Sequence, residues 1–439
     1  MKTPDNWKVL KMPQVVLWGS GGTPKATEKL YYENGTIPWL IIGDLNDGIV
    51  TSSASRITEL GIKNSSAKLV PPGTLLIAMY GSIGKLGITG MECCTNQAIA
   101  FAKELYGVTV KYMFYYLSMI KSKLVSLGKG GTQKNISLTV LNSLDVVVPP
   151  IEEQERIVAR IEELFSELDA GVDTLQKIKQ QLSVYRQAVL KEAFAGELTE
   201  TWRQIHPEET TDSIVNLIEA RGQKIDLELL ESIPIPAMPN AWKWVNLGSV
   251  SSGPEYGTSQ KSSDTGKIPV IRMGNLQKGR IDWRDLAYTS NDEDIEKYRL
   301  SKGDVLFNRT NSPDLVGKTA IYRGEREAIF AGYLIRINQL DCIDPDYLTY
   351  YMNSSVARSY GNSVKTDGVN QSNINGKKLC SYPFPLCSEA EQKQVVYELE
   401  SRLSLCDGIE KTVDEALQQS AAMRQSILKQ AFEGGLSYE

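Results

Sequence analysis

Two loops in each half of the sequence carry side chains that could contact a nucleic acid. Arginine, lysine, asparagine, glutamine and small hydroxyl groups donate hydrogen bonds to phosphate oxygens and to base edges. Neighbouring glycines let the backbone approach a surface closely. The candidate residues of the first half are Tyr80, Ser82, Lys85, Lys129, Thr132, Gln133, Lys134 and Asn135, and those of the second half are Asn308, Arg309, Thr310, Asn311, Lys318, Lys365, Thr366, Asn370 and Gln371.

A structural alternative exists for each of these loops. Glycine, asparagine and lysine are common in solvated turns between strands, where they bind nothing. The recurrence of the loops at equivalent positions favours a binding role for them as a set. Arg272, in the stretch IPVIRMGN, has two open interpretations: it contacts a nucleic acid, or it pairs with a carboxylate of its own domain.

The motifs of catalysis are incomplete in this chain. An amino-methyltransferase would need an N/D-P-P-Y/F loop, but the nearest stretch, DPDY, has Asp346 at the second proline position. A phosphate loop needs G-x-x-x-x-G-K-[ST], whereas GKT at 317–319 has Ser312 where the first glycine should stand. We therefore predict no catalytic residue, and a protein that is not an enzyme.

Cysteine and histidine usage gives no metal site either. The six cysteines form no C-x-x-C pair, which argues against a zinc site and against a disulfide framework. We predict that they are small buried residues. The single histidine, His206, is predicted to be exposed or satisfied locally.

The net charge of −5 hides an alternation along the chain. Residues 1–150 carry 15 Lys and Arg against 9 Asp and Glu, and residues 240–387 carry 19 against 16. Residues 151–215 carry 7 against 14, and residues 388–439 carry 5 against 10. Two basic blocks therefore alternate with two acidic blocks, as expected when separate parts have different partners.

The location of the chain is predicted from what its sequence lacks. No apolar run approaches the ~18 residues that span a bilayer. The N-terminal stretch MKTPDNWKVLKMPQ has no apolar segment typical of a secretory signal. We predict a cytoplasmic protein.

The sequence is an internal duplication. The stretch PPIEEQERIVARIEEL is followed much later by LCSEAEQKQVVYELES, with Pro150 on Ser388. Likewise GTIPWLIIGDLNDGIV corresponds to GKIPVIRMGNLQKGRI, and Gly73 falls on Gly303. Gln133 falls on Gln371, and Ile136 falls on Ile374. Each half is a globular block followed by an acidic block.

The pattern of residues predicts an α/β (α+β) globular block in each half. GTLLIAMY and GDVLFNR are typical of buried strands, and VKYMFYYLSMIKSKL and PDYLTYYMNSSVARSY have helical spacing. The aromatic residues of these helices are predicted to pack rather than to stack on bases. The predicted divisions are a globular domain at 1–150, a long helix at 151–196, a connector at 197–239 with a short helix, a second globular domain at 240–387 and a second long helix at 388–439.

The acidic blocks are predicted to be two long coiled-coil helices. Their apolar residues recur mostly every three or four positions, and Gly196 and Gly434 suit helix C-termini. If the helices pack antiparallel, the duplicated chain acquires an internal pseudo-two-fold axis. The residues predicted for the coiled-coil seam are Ile157, Ile161, Leu164, Phe165, Leu168, Val395, Leu399 and Leu403.

These motifs together resemble a known family. The doubled pattern of PPIEEQERIV … AVLKEAFAGELT and SEAEQKQVV … SILKQAFEGGLS, with GGTP, YGSIGK, TNQA and GGTQKNIS, resembles the specificity subunit of type I restriction and modification enzymes. The second copy departs from the usual form in CSEAEQ, where PPxxEQ is commoner, and in NSPDLVGK. The resemblance covers nearly the whole chain.

The resemblance implies a non-catalytic, DNA-binding subunit. Each of two recognition domains would read one half of a split double-stranded DNA sequence. The helices between them would dock two methyltransferase subunits and, through these, restriction and translocase subunits. S-adenosylmethionine, ATP and Mg²⁺ would belong to those partners. The alternative from another class is a coiled-coil scaffold whose basic domains bind proteins.

Overall fold

A computed structural model of the chain describes residue 4 and residues 6–129, 134–225, 230–231 and 235–435. The chain packs into two compact units, Met1–Gln176 with Asp414–Glu439 and Lys177–Val413. We call the two longest elements the first long helix (Ile151–Phe194) and the second long helix (Glu389–Phe432). Mixed β-sheets with short helices complete each unit, which confirms the predicted fold class.

The first unit contains two sheets and a separate strand pair. Its elements are β1 (Lys8–Lys11), α1 (Met12–Val15), β2 (Val16–Ser20), β3 (Ile37–Leu40), β4 (Gly48–Val50), β5 (Arg56–Ile57), α2 (Glu59–Lys63), β6 (Leu69–Val70), β7 (Leu75–Ala78), β8 (Leu86–Thr89), β9 (Cys93–Thr95), β10 (Ile99–Leu105), α3 (Val110–Met119), α4 (Lys121–Leu127), α5 (Leu138–Asn142) and β11 (Asp145–Val148). The sheet orders are β2-β10-β7-β8-β4 and β5-β3-β9-β6, and β1 pairs with β11. The buried strand β7 lies at the centre of the larger sheet, as expected for the apolar sequence LLIA.

The second unit repeats this plan with additional strands. Its elements are α6 (Glu200–Ile205), α7 (Asp212–Ala220), β12 (Lys243–Asn246), β13 (Ser251–Tyr256), β14 (Ile268–Ile271), β15 (Leu276–Gln277), β16 (Arg280–Ile281), β17 (Ala287–Thr289), α8 (Asp292–Lys297), β18 (Val305–Asn308), β19 (Thr310–Asn311), β20 (Thr319–Ile321), β21 (Ile329–Phe330), β22 (Leu334–Gln339), α9 (Pro345–Met352), α10 (Ser355–Val364), β23 (Thr366–Asp367), β24 (Ser372–Asn373), α11 (Gly376–Cys380) and β25 (Pro383–Leu386). The sheet orders are β13-β22-β18-β20-β16-β15, β17-β14-β21 and β19-β24-β23, and β12 pairs with β25.

In each unit the C-terminal end of one long helix packs against a short helix, α3 in the first unit and α9 in the second. In the first unit the Phe432 ring contacts Tyr112 and Tyr116 of α3 edge-on, with centroids 5.1 and 5.3 Å away. In the second unit Phe194 contacts Tyr347 and Tyr351 of α9 in the same way, at 5.3 and 5.2 Å. All six rings are buried. The aromatic residues of α3 and α9 therefore pack in the core, as predicted.

The start of each long helix is tied to its unit by a buried glutamine. Gln154 Nε2 donates to the Gly107 carbonyl at 2.8 Å, and its Oε1 accepts from the Thr109 N–H at 2.9 Å. Gln392 repeats this with the Cys342 carbonyl and the Asp344 N–H, at 3.2 and 2.8 Å. The Glu-Gln pattern that the two helix starts share thus fixes the direction in which each helix leaves its domain.

The two long helices run antiparallel within each unit. In the first unit Ile157 and Ile161 share a buried cluster with Leu428 and Phe432. In the second unit, residues 189–194 of the first long helix share a buried cluster with Val395 and Leu399 of the second. Gly196 and Gly434 follow the helix ends with φ of 75° and 71°, so a side chain there would be strained. No helix among the described residues is both long and apolar enough to cross a membrane.

Candidate nucleic-acid interface

The two candidate loops of the first unit lie side by side. Tyr80 and Asn135 form an antiparallel bridge, and the Gly81 N–H donates to the Lys134 carbonyl at 3.3 Å. Residues distant in sequence thus form one continuous polar surface. Its exposed side chains are Tyr80, Ser82, Lys129, Lys134 and Asn135.

The other three candidates of the first half are Lys85, Thr132 and Gln133. Thr132 and Gln133 lie outside the described residues. Lys85 is half-buried at the end of the first loop, with Nζ 3.5 Å from the Ile42 carbonyl. Its ammonium group therefore lies at the base of the surface.

The two candidate loops of the second unit also meet, through a small sheet. Strand β19 begins the first loop and pairs with β24, which pairs with β23 to form a hairpin. The Gly368 N–H donates to the Gln371 carbonyl at 2.7 Å and closes the hairpin turn. Val369 at its tip is 100% exposed, and Asn370 and Gln371 are exposed beside it. The hairpin therefore presents polar side chains and one apolar side chain to solvent.

Equivalent backbone hydrogen bonds support the loops in the two units. The Ala78 N–H donates to the Lys85 carbonyl at 2.8 Å, and the Asn308 N–H donates to the Lys318 carbonyl at 2.8 Å. The bridge of Tyr80 with Asn135 corresponds to the pairing of Thr310 with Asn373. Lys85 and Lys318 are therefore structurally equivalent, as are Tyr80 and Thr310. The intervening segment is longer in the second unit by three residues, from 310 to 318 against 80 to 85.

Several candidates of the second unit support the loop from within. Asn308 is fully buried, with Nδ2 3.4 Å from the Leu315 carbonyl. The Arg309 guanidinium lies over the Tyr256 ring, 4.9 Å from its centroid, and donates to the Gly332 carbonyl at 3.3 Å. These side chains are placed to hold the loop in shape.

The other candidates of this loop pair are engaged at its base. Lys365 Nζ donates to the Pro313 carbonyl at 3.2 Å. Asn311 Oδ1 accepts from the Ser312 N–H at 2.8 Å, and Thr366 Oγ1 accepts from Lys378 Nζ at 2.7 Å. Lys318 Nζ lies 3.3 Å from Gln277 Oε1. Of these, Thr366 is the exposed residue.

Arg272 pairs with a carboxylate of its own domain, the second of the two interpretations left open by the sequence. Its guanidinium lies 3.5 Å from the Asp285 carboxylate, and its N–H donates to Asn275 Oδ1 at 2.9 Å. The Arg272 side chain is 41% exposed, and Asp285 is almost fully exposed. An ion pair this open to solvent is weak, so the guanidinium could exchange Asp285 for another anion.

One polar residue beside the loops was not among the predicted candidates. Asn373 Nδ2 donates to Thr310 Oγ1 at 2.6 Å and so links the two loops of the second unit. The alignment of TQKNIS with NQSNIN already placed Asn135 on Asn373. The repeat therefore contained the signal that would have found it.

The residues predicted for the coiled coil pack inside their units. Ile157, Ile161, Val395 and Leu399 are buried, and Leu164, Phe165, Leu168 and Leu403 are half-buried. Phe165, for example, lies under the Arg424 guanidinium at 4.6 Å and against Tyr115 at 5.9 Å. The exposed apolar side chains of the long helices are different residues, namely Ile151, Val184, Tyr185, Tyr397, Leu405, Ile409 and Met423.

Thiol and imidazole groups occupy local, structural positions. The six cysteines are free and five of them are buried, as predicted. Burial raises the pKa of Cys93 to about 12 and that of Cys94 to about 11. His206 stacks on Trp202 with centroids 4.4 Å apart. Across the described ranges no group of three His, Cys, Asp or Glu residues is placed to hold a metal ion.

Comparison with known proteins gives a consistent family. The chain is 24% identical over 450 residues to the type I restriction enzyme EcoKI specificity subunit of Escherichia coli K12, covering 99% of this chain and 90% of that protein. Its fold is similar to a chain solved in a study of complex assembly and conformational transition of the type I R-M system, with TM-score 0.73 and 18% identity over 99% of this chain and 100% of that chain. It is also similar to the HsdS subunit from Thermoanaerobacter tengcongensis, with TM-score 0.51 and 18% identity over 99% of each chain.

The family model covers both halves of the duplication. The model described as "Type I restriction modification DNA specificity domain" matches residues 4–182 and again residues 239–419. Each match includes one globular block and most of the long helix that follows it. The chain therefore belongs to the type I restriction modification DNA specificity family, and it contains two copies of the family's domain.

Proposed function

We propose that this chain reads a bipartite, asymmetric DNA sequence, with one half-site for each recognition domain. The observation that carries the proposal is that each unit brings its own two polar loops together on equivalent backbone hydrogen bonds. The scaffold is the same, but Tyr80 stands where the second unit has Thr310. Different side chains on equivalent supports would recognise different base sequences.

The recognition residues in this proposal are those predicted from the sequence. Residues 1–150 and 240–387 form the two recognition domains, and Gln133 and Gln371 are the residues best suited to bidentate contacts with adenine. The exposed residues Tyr80, Lys134, Asn135, Asn370 and Gln371 would meet bases or phosphates directly. The buried Asn308 would act by keeping its loop in shape.

The long helices would dock the modification subunits in this proposal. Their seam residues are occupied within the chain, so a partner would need other apolar side chains. Val184, Tyr397 and Leu405 are 66%, 66% and 69% exposed, and large exposed apolar side chains mark contact surfaces when they cluster. S-adenosylmethionine, ATP and Mg²⁺ would bind to the partner subunits. Those subunits would carry out methylation and any cleavage.

The salt dependence of DNA binding tests this function against the scaffold alternative, which the comparisons do not favour. The target would first be identified as the methylated sequence in host DNA. The chain assembled with its methyltransferase should bind a duplex with this target more tightly than an unrelated duplex, and log K should fall steeply with log salt. Equal affinity for both duplexes, or no DNA binding with tight protein binding instead, would contradict the proposal.

A further inference from the structure

A large cleft lies within the second unit, beside the candidate recognition loops. Its volume is about 490 Å³. Residues of β15, β16, β20 and α9 form one side, and residues of the first long helix form the other. This volume lies in the range of small-ligand sites. The cleft therefore has room for a phosphate group with its ester substituents.

The lining of the cleft is strongly cationic. Seven Lys and Arg residues line it, against two carboxylates, Asp346 and Glu410. Both carboxylates already have partners: Arg323 Nη1 donates to Asp346 at 2.9 Å, and Lys278 Nζ contacts Glu410 at 2.6 Å. Hydrogen bonding with Lys278 is the main cause of a lowered pKa of the Glu410 carboxyl. Both carboxylates of the cleft are therefore already engaged in ion pairs.

Three further cations have no carboxylate partner among the described residues. Arg280 and Arg358 are exposed in the cleft, and Lys318 Nζ contacts only the neutral Gln277 side chain, at 3.3 Å. Burial, and then the nearby charge of Arg358, lower the pKa of Lys318. Like charges held together without a counter-charge cost free energy. An anion bound between them would remove that cost.

The cleft is continuous with the recognition loop. Lys318 and Arg358 also line a neighbouring cavity of about 160 Å³ together with Pro313 and Gly317. Lys318 ends the loop that starts at Thr310, and Thr310 pairs with the hairpin. A cationic path therefore leads from the recognition loops to Arg186 on the first long helix.

At the positions equivalent to Lys278 and Arg280, the described part of the first unit has no cation, although Lys85 and Arg424 correspond to Lys318 and Arg186. Asp47 and Lys278 occupy equivalent positions, with left-handed φ of 56° and 51°, each just before a strand that runs parallel to β8 or to β20. Ile49 of β4 correspondingly replaces Arg280 of β16. Asp47 also pairs with Lys121 at 2.9 Å, so this position is neutralised in the first unit. The charges of Lys278 and Arg280 are therefore a feature of the second copy.

We propose that this cleft binds backbone phosphates of the DNA that leaves the second half-site, outside the bases that are read. The inference rests on the proposed function and adds to it a sequence-independent anchor that belongs to one half-site. Guanidinium and ammonium groups neutralise phosphodiesters without reading sequence. A free phosphate or nucleotide offers the same anion chemistry, so the experiment must separate the two sources.

The test compares two double variants that each remove two positive charges. One is Arg280→Gln with Arg358→Gln in the cleft, and its control is Lys297→Gln with Lys302→Gln at exposed positions elsewhere in the unit. Affinities of the assembled complex for target and unrelated duplexes are measured over a range of salt. Each phosphate contact contributes about 0.9 to the steepness of the slope of log K against log salt. Because the cleft variant lacks two such contacts, its slope should be less steep by about 1.8. The control should keep the wild-type slope.

Neutral DNA backbones locate the contact. Methylphosphonates next to the second half-site should weaken wild-type binding and have no further effect on the cleft variant, whereas those next to the first half-site should affect both proteins equally. An unchanged slope in the cleft variant would overturn the inference. The inference would also be overturned if the cleft bound pyrophosphate or metal-free ATP while the cleft variant bound DNA with the wild-type affinity. Failure of the proposed function would look different, because the wild-type complex would then not prefer its target.

Discussion

Arg186 on the first long helix donates to Asp407 on the second across 2.6 Å, and the same pair of residue types recurs in the other unit. There Arg424 pairs with Asp169. Arg186 and Arg424 are 238 residues apart, as are Asp169 and Asp407. The duplication therefore reproduces an interhelical ion pair as well as the fold, and both pairs require the same antiparallel register.

The first prediction concerns the strength of this pair. A double-mutant cycle of Arg186→Ala and Asp407→Ala should give a coupling free energy of about 0.2–1 kcal/mol, because Asp407 is half exposed and water screens the attraction. The coupling, measured by urea unfolding, should shrink at high salt. The pair Arg160 and Glu163 within one helix is the matched control. A coupling of zero at low salt would show that the pair does not contribute to the register.

The second prediction concerns the buried glutamines. Gln154→Ala or Gln392→Ala should each lower the free energy of unfolding by about 1–3 kcal/mol per backbone group left without a partner. Gln154 bonds the Thr109 N–H and two carbonyls, and Gln392 bonds the Asp344 N–H and two carbonyls, so the two losses should be similar in size. Gln180→Ala, at an exposed position of the first long helix, should change it little. Equal unfolding curves for Gln154→Ala and Gln180→Ala would contradict the anchoring role.

The third prediction separates docking from folding. Leu405→Asp replaces an exposed side chain, so the melting temperature should stay close to that of the wild type while co-purification with the methyltransferase is lost. Leu399→Ala removes a fully buried side chain and should cost about 2–5 kcal/mol. If both Leu405→Asp and Tyr397→Asp, a second exposed position of the same helix, retained stoichiometric partner binding, the docking surface would lie elsewhere.

The fourth prediction concerns the length of the helices. Seven residues inserted after Val172, and seven after Glu410, keep the apolar seam in register and lengthen each helix by about 10 Å. If the helices set the distance between half-sites, the unread gap should grow by up to about three base pairs at ~3.4 Å each. The half-site sequences should not change. Methylation mapping of an active complex with an unchanged gap would show that the helices do not set the spacing.

The sequence predicted the elements better than it predicted how they meet. The first long helix begins at Ile151, where the predicted helix 151–196 starts, and the aromatic residues of α3 and α9 pack as their spacing suggested. The packing of Phe432 on Tyr112 and of Phe194 on Tyr347 could not be predicted, because the paired residues are 320 and 153 positions apart. Periodicity within a short window of sequence contains no information about such contacts.

The candidate site shows the same division. The repeat aligned the candidate loops of the two units correctly, with the Gly73 and Gly303 N–H groups donating to the Thr89 and Tyr322 carbonyls in equivalent bonds. The burial of Asn308 and the engagement of Arg309 with Tyr256 depend on tertiary packing. The sequence of a glycine-rich loop looks the same whether its polar side chains face solvent or support the turn from within.

The independence of the two recognition domains is the fifth prediction and the central one. Gln371→Ala, at the exposed turn of the second unit, and Tyr80→Ala, at the exposed loop of the first, should each weaken or relax recognition of a different half of the target. A lost base contact typically costs about 1–3 kcal/mol. The measurement is a genome-wide map of methylated adenines for each variant assembled with its native partners. The account predicts changes confined to one half-site in one variant and to the other half-site in the other variant, and changes spread equally over both half-sites by either substitution would contradict it.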